Sequence, residues 1–151
     1  FMKLVVQRVN KARVFRKTHV EIWKKVGEIS TGFLILVGFK KGDNQKDVEI
    51  LAEKVSKLRV MKDGEKKMNL SVLETKSEIL AISQFTLYAD TKGGNRPSFI
   101  EAEDPEIAKK LYGLFVSKLR DKGIKTETGS FGDDMQIEAV LDGPVTIIYS
   151  D

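Results

Sequence analysis

The chain has no cysteine, only one histidine, three prolines and one tryptophan. Without cysteine there are no disulfides, no thiolate nucleophile and no cysteine-held zinc, a composition that fits a reducing cytoplasm. A Ser-His-Asp system, a Cys-His pair and a histidine-rich metal site each need imidazole at the centre. The one imidazole, His19, lies in a charged, irregular stretch and reads as a surface group, so a hydrolase built on this chain takes its base from elsewhere. No apolar run approaches the roughly 20 residues of a membrane-spanning helix, and no signal-peptide pattern opens the sequence, so no membrane association is expected. Phe1 ahead of Met2 is an unusual start, and nothing is built on it.

What is present is a globular composition. Of 151 residues, 41% are hydrophobic and 32% charged, enough to bury one sizeable core and too apolar for disorder, so one domain over 1–151 is expected. The net charge of +4 is compatible with a nucleic-acid partner without requiring one. Abundant Lys and Glu hint weakly at a heat-adapted source.

Periodicity supplies the elements. Met2 to Val9 reads as a strand, Arg13 to Ile29 as a long hairpin with a basic tip, and the continuous apolar run Phe33 to Phe39 as a strand buried on both faces. Asn44 can cap a helix whose stripe is Val48, Leu51, Ala52, Val55 and Leu58. Lys62-Asp63-Gly64 is a turn, and Leu70 to Leu73 and Ile79 to Ala89 read as paired strands. A second helix runs from the Asp104 cap and Pro105 to Gly123, with Ile107, Leu111, Leu114, Phe115 and Leu119 as its stripe. Ile124 to Thr128, Met135 to Leu141 and Val145 to Tyr149 finish the chain as strands. The pattern predicts an α+β fold of mostly antiparallel strands in two sheets, with two helices over one face.

Polar groups concentrate at the ends of these elements. Ser83, Gln84 and Thr86 stand at the end of an apolar strand that runs into the glycine-rich, basic turn Lys92 to Phe99. They can be core-strand groups satisfied by backbone, or, where the strand kinks, part of a cradle of N–H donors for an oxyanion. Arg96 and Lys92 can belong to a plain turn or contact phosphate. Asp142-Gly143-Pro144 reads as a hairpin turn, with a cis Gly-Pro bond as the alternative. Phe131 and Met135 read as core, with the wall of a base-binding pocket as the alternative. No carboxylate pair stands out for acid–base work, and no cofactor or metal is implied.

Several segments in one order carry a resemblance: Gln7-Arg8-Val9, Lys67 to Val72, Ser83 to Asp90, Gly94 to Phe99, Glu127-Thr128-Gly129 with Phe131-Gly132, and Asp142 to Thr146. Together they resemble the D-aminoacyl-tRNA deacylase family nearly end to end. The resemblance implies a homodimer that hydrolyses the ester joining a D-amino acid, or glycine, to the 3′-terminal adenosine of tRNA. It implies that the main chain of Ser83, Gln84, Phe85 and Thr86 holds the aminoacyl group. It further implies that a cis Gly143–Pro144 pair fixed by Arg8 enters the partner subunit's site, and that Phe131 lies near the adenine. Met135 and Arg96 are carried as adenosine- or tRNA-binding candidates. A wall of carbonyls would leave no room for an L side chain, and the substrate's 2′-hydroxyl could help activate water. Thr86, with no base beside it, is expected to orient the ester rather than attack it.

Two departures from the family pattern stand out: Leu141 replaces the usual Asn before Asp-Gly-Pro, and Lys17 to Lys25 is longer than the usual turn. The competing expectations are a tRNA- or nucleotide-binding module without catalysis and, less supported, a purely structural oligomer.

Overall fold

The first strand organises the molecule. In the computed structural model, which describes residues 1–150, β1 (Lys3–Lys17) is one continuous 15-residue strand rather than a strand and a separate hairpin arm. β2 (Trp23–Ile29) and β3 (Gly32–Gly38) follow, and both pair antiparallel with the same edge of β1. β3 takes Lys3 to Val9 and β2 takes Ala12 to Lys17.

α1 (Gln45–Lys57) starts on a reciprocal cap: Asn44 Oδ1 accepts from Asp47 N–H at 3.1 Å, and Asp47 Oδ2 accepts from Asn44 N–H at 3.0 Å. The short strands β4 (Met61–Lys62) and β5 (Met68–Leu70) form a separate two-stranded sheet. A single turn, α2 (Val72–Thr75), leads into β6 (Glu78–Ser83), then α3 (Pro105–Asp121), β7 (Thr126–Thr128) and β8 (Met135–Tyr149). β3, β6 and β7 pair parallel, so the main sheet is mixed, in the order β2-β1-β3-β6-β7, with β8 along the other edge of β1.

Helices α1 and α3 cover one face, over a core of Leu4, Val6, Phe33, Ile35, Ile79 and Phe115. On the other face β1 bends at the register shifts between Gln7 and Lys11, and its second half carries β2 back over the sheet. Val9, Ala12, Val14 and Ile29 thereby close onto Leu34, Leu80 and Ile82 in a second apolar cluster. No described helix is long and apolar enough to cross a membrane.

Four sequence expectations are corrected. Leu70 to Leu73 does not pair with Ile79 to Ala89; β5 pairs with β4, and Val72 to Thr75 is helical because Ser71 caps it and Glu74 closes the box. The strand expected to reach Ala89 stops at Ser83, and Phe85–Tyr88 is a 3-10 turn. Asp142-Gly143-Pro144 does not end a strand but lies inside β8. On α3, Ile107 faces solvent, and Ala108, Tyr112 and Val116 join the buried side.

Candidate active site

The strand β6 ends at Ser83, opposite Val37 of β3. Gln84 N–H still donates to Val37 O at 2.8 Å, and then the chain tightens into the 3-10 turn, with Leu87 N–H on Gln84 O at 3.3 Å. That turn packs on the end of β3 at Gly38, where a Cβ would stand 3.0 Å from both Gln84 O and Leu87 Cβ. A larger residue at 38 would push the turn outward by a few tenths of an ångström. Lys3 holds the far end: its Nζ donates to Leu87 O at 3.3 Å and lies 4.7 Å from the centre of the Tyr88 ring.

The kink has a chemical result. In a 3-10 turn whose first bond is Leu87 N–H to Gln84 O, the preceding amides of Phe85 and Thr86 have no acceptor within the turn. They are donors at the strand end. Gln84 Nε2 donates to Thr86 Oγ1 in a close side-chain bond. The neighbour of the Thr86 hydroxyl is thus an amide donor, which cannot take its proton, so the geometry gives Thr86 no general base.

Beside this strand end is a cavity of about 800 Å³. Ser83, Gln84 and Phe85 line one side and Phe131, Gly132 and Met135 another, with Pro105 and Ala108 of α3 between. Phe131 and Met135 therefore serve both as cavity wall and as partly buried packing against the two apolar clusters. Tyr112 sets the position of Phe131: the ring centres are 5.9 Å apart, and the Tyr112 hydroxyl donates to Ala81 O at 2.6 Å. Burial pushes the Tyr112 hydroxyl up to about 12, so it stays a donor. Phe99 packs edge-on against Phe85 at 5.0 Å and brings the 90–99 loop to the cavity mouth. Sequence reading did not single out Tyr112 or Lys3; Tyr112 had a signal, a polar-tipped aromatic beside the Leu111 stripe.

Thr86 is exposed and lies outside the cavity lining. Arg96 is exposed on the 90–99 loop, which Asp90 and Ser98 close with two backbone bonds of 2.8 and 2.9 Å, and it also lies outside the lining.

Gly143 and Pro144 form a second, separate feature. β1 pairs Gln7 with Thr146 and Val9 with Leu141, so residues 142–145 bulge out opposite Arg8 alone. The Gly143–Pro144 bond is cis, and Gly143 has φ +125°, a region that favours glycine. Arg8, 5% exposed, lies beneath the bulge: Nε is 3.2 Å from Asp142 Oδ2, and one terminal nitrogen donates to Val60 O at 2.7 Å. Lys62 Nζ reaches Asp142 Oδ1 at 3.4 Å. The Leu141 side chain is exposed, and the bulge is tied down through Asp142. Both Gly143 and Pro144 are exposed, and neither lines the cavity of its own chain.

A strand end whose Phe85 and Thr86 amides have no acceptor in the turn, beside an aromatic-walled cavity, can bind and polarise an acyl group through its main chain.

The chain belongs to the D-Tyr-tRNA(Tyr) deacylase family, whose model matches residues 5–150. It is 50% identical over 147 residues to a D-aminoacyl-tRNA deacylase of Thermotoga petrophila, covering 97% of this chain and 95% of that one. It is 48% identical to a D-aminoacyl-tRNA deacylase of Thermosipho africanus over the same shares of the two chains. Among solved structures, the c-Myc DNA Unwinding Element Binding Protein superposes with a TM-score of 0.89 at 35% identity, over 99% of this chain and 98% of that one. A probable eukaryotic D-amino acid tRNA deacylase superposes with a TM-score of 0.81 at 15% identity, over 98% of each chain, which shows the shared fold.

Proposed function

We propose that this protein is a D-aminoacyl-tRNA deacylase, a single-domain hydrolase that releases D-amino acids, or mischarged glycine, from the 3′-terminal adenosine of tRNA in the cytoplasm. The observation that carries the reading is the near full-length match to deacylases of that name, with Ser83, Gln84 and Phe85 lining the cavity.

In the proposed reaction the ester carbonyl lies against the 3-10 turn. Its oxygen accepts from the Phe85 and Thr86 amides, and Ser83 and Gln84 border the acyl group. Water adds to the carbonyl carbon, the bond to the 3′-oxygen breaks, and the proton of the water leaves with that oxygen, assisted by the neighbouring 2′-hydroxyl. Fixed donors aimed at the developing charge supply the stabilisation, and one such donor is typically worth about 3–4 kcal/mol. Phe131 and Met135 wall the adenosine, and Arg96 reaches the phosphates beyond it.

Selection against L-amino acids falls to Gly143 and Pro144 of a second subunit, seated by that subunit's Arg8. Two observations support a homodimer. The outer edge of β8 pairs with no strand among the described residues, and Val140, Leu141 and Ile148 lie exposed along it. Gly143 and Pro144 are also exposed and outside the lining of their own chain's cavity, which leaves them free to act in a partner.

Incubation with D-tyrosyl-tRNA and L-tyrosyl-tRNA tests the assignment: the D form is released much faster, and equal rates overturn it. A second reading, a nucleic-acid-binding module without hydrolysis, is favoured by the 35% identical structure, which is named for binding DNA. Binding of tRNA with no release of either amino acid would establish it.

A further inference from the structure

The cations of the β1–β2 hairpin are sorted between its two faces. On one face Arg13, Lys17 and Lys25 each meet a carboxylate: Arg13 reaches Glu138 at 2.6 Å, Lys17 reaches Glu21 at 2.6 Å and Lys25 reaches Glu28 at 3.0 Å. On the other face Arg16 and Lys24 stand directly opposite each other across the two strands, and neither has a carboxylate partner among the described residues. Like charges in that position repel and weaken the pairing. The chain tolerates this in a hairpin that places acids beside Arg13, Lys17 and Lys25.

The same row continues into the site. Arg16 is also the register partner of Met135, so Lys24, Arg16 and Met135 lie in line across three strands with their side chains on one face. Met135 is part of the cavity wall, and Asp134 O accepts from Lys17 N–H at 3.0 Å, tying the hairpin end to that wall. At the usual strand spacing, Lys24 lies about 10 Å from Met135.

We infer that Arg16 and Lys24 form a phosphate-binding pair, which grips the RNA backbone of the substrate just outside the cavity that takes its terminal adenosine. The inference rests on the proposed tRNA substrate. The pair suits a polyanion because two unneutralised cations share one face and one row. Relief of their mutual repulsion adds to the attraction. It reads no sequence, since contacts to phosphate fix position and leave base identity unread.

The test compares D-tyrosyl-tRNA with 3′-O-D-tyrosyl-adenosine, which carries no phosphate, using the wild type and the Arg16→Glu/Lys24→Glu double variant. The expected result is a fall of about tenfold in kcat/KM on the tRNA, carried by KM, with at most twofold change on the nucleoside. The slope of log kcat/KM against log salt should fall by about 2. Lys25→Glu, on the opposite face, controls for net charge. An unchanged tRNA rate, equal losses on both substrates, or a loss as large in Lys25→Glu would each overturn the assignment. Should the wild type hydrolyse neither substrate, the proposed activity fails by itself. The hairpin is then judged on uncharged tRNA, where unchanged affinity in the double variant overturns it and tenfold weaker, less salt-dependent binding supports it.

Discussion

Tyr112 and Phe131 meet at 5.9 Å between ring centres, and the same tyrosine bonds Ala81 on the strand that ends at Ser83. One helical side chain thus links Phe131 of the cavity wall to the strand that carries Ser83. Replacing it by Phe keeps the ring and leaves Ala81 O without its donor, which should cost about 1 kcal/mol in urea unfolding. The pH dependence follows from the raised hydroxyl. The folded state prefers the protonated form, so this contribution is complete below 10 and is lost as the pH rises towards about 12. Alkaline melts should show a smaller loss over that window in Tyr112→Phe than in the wild type.

Arg8→Met removes a buried cation, leaves Val60 O without its donor and leaves Asp142 with Lys62 alone beneath the 142–145 bulge. The expected destabilisation is about 2–3 kcal/mol, less than for a fully buried pair because Asp142 is partly exposed. If the bulge is the chirality filter, release from L-tyrosyl-tRNA should rise relative to the D form. A variant as stable and as selective as the wild type would show that Arg8 does not seat it.

Thr86→Ala should slow turnover about three- to tenfold without abolishing it, because its hydroxyl has an amide donor rather than a base beside it. Single-turnover release from D-tyrosyl-tRNA measures this. Loss of all activity with tRNA affinity intact would make Thr86 the nucleophile.

Glu53 links the two helices through Lys122 while also meeting Lys57 on its own helix at 2.6 Å. The Lys122 bond first, then that of Lys57, holds its carboxyl at about 2 instead of the usual 4.5. A depressed carboxyl stabilises above its unfolded value, so this contribution is complete above 4.5 and is lost as the pH falls towards 2. Thermal melts of Glu53→Gln should show a shallower acid decline over that window, and added salt should shrink the difference.

What the sequence revealed was local. Asn44, Asp104 and Pro105 mark their helices because a cap needs only a few neighbours, and Phe33 to Val37 is apolar throughout because both faces are covered. Ser83 to Asp90 stands out in the sequence as a candidate site, but its shape does not. Phe85 and Leu87 alternate as a strand would, and only the fit against Gly38 shows that the chain turns there. Asp142-Gly143-Pro144 has the residues of a hairpin, yet β1 holds both flanks in register and makes it a bulge. The sorting of cations on the β1–β2 hairpin is set by pairing and leaves no local mark.

The pairing of β1 with β8 also has a consequence in time. Gln7 and Thr146 are 139 residues apart, and the long edge of β1 that takes β8 waits for nearly the whole chain to be synthesised. Contacts so distant in sequence form slowly, and until then an apolar strand edge stands open on the ribosome. Refolding should therefore slow sharply when β8 is weakened, even though the helices and β3 form from their own neighbourhoods.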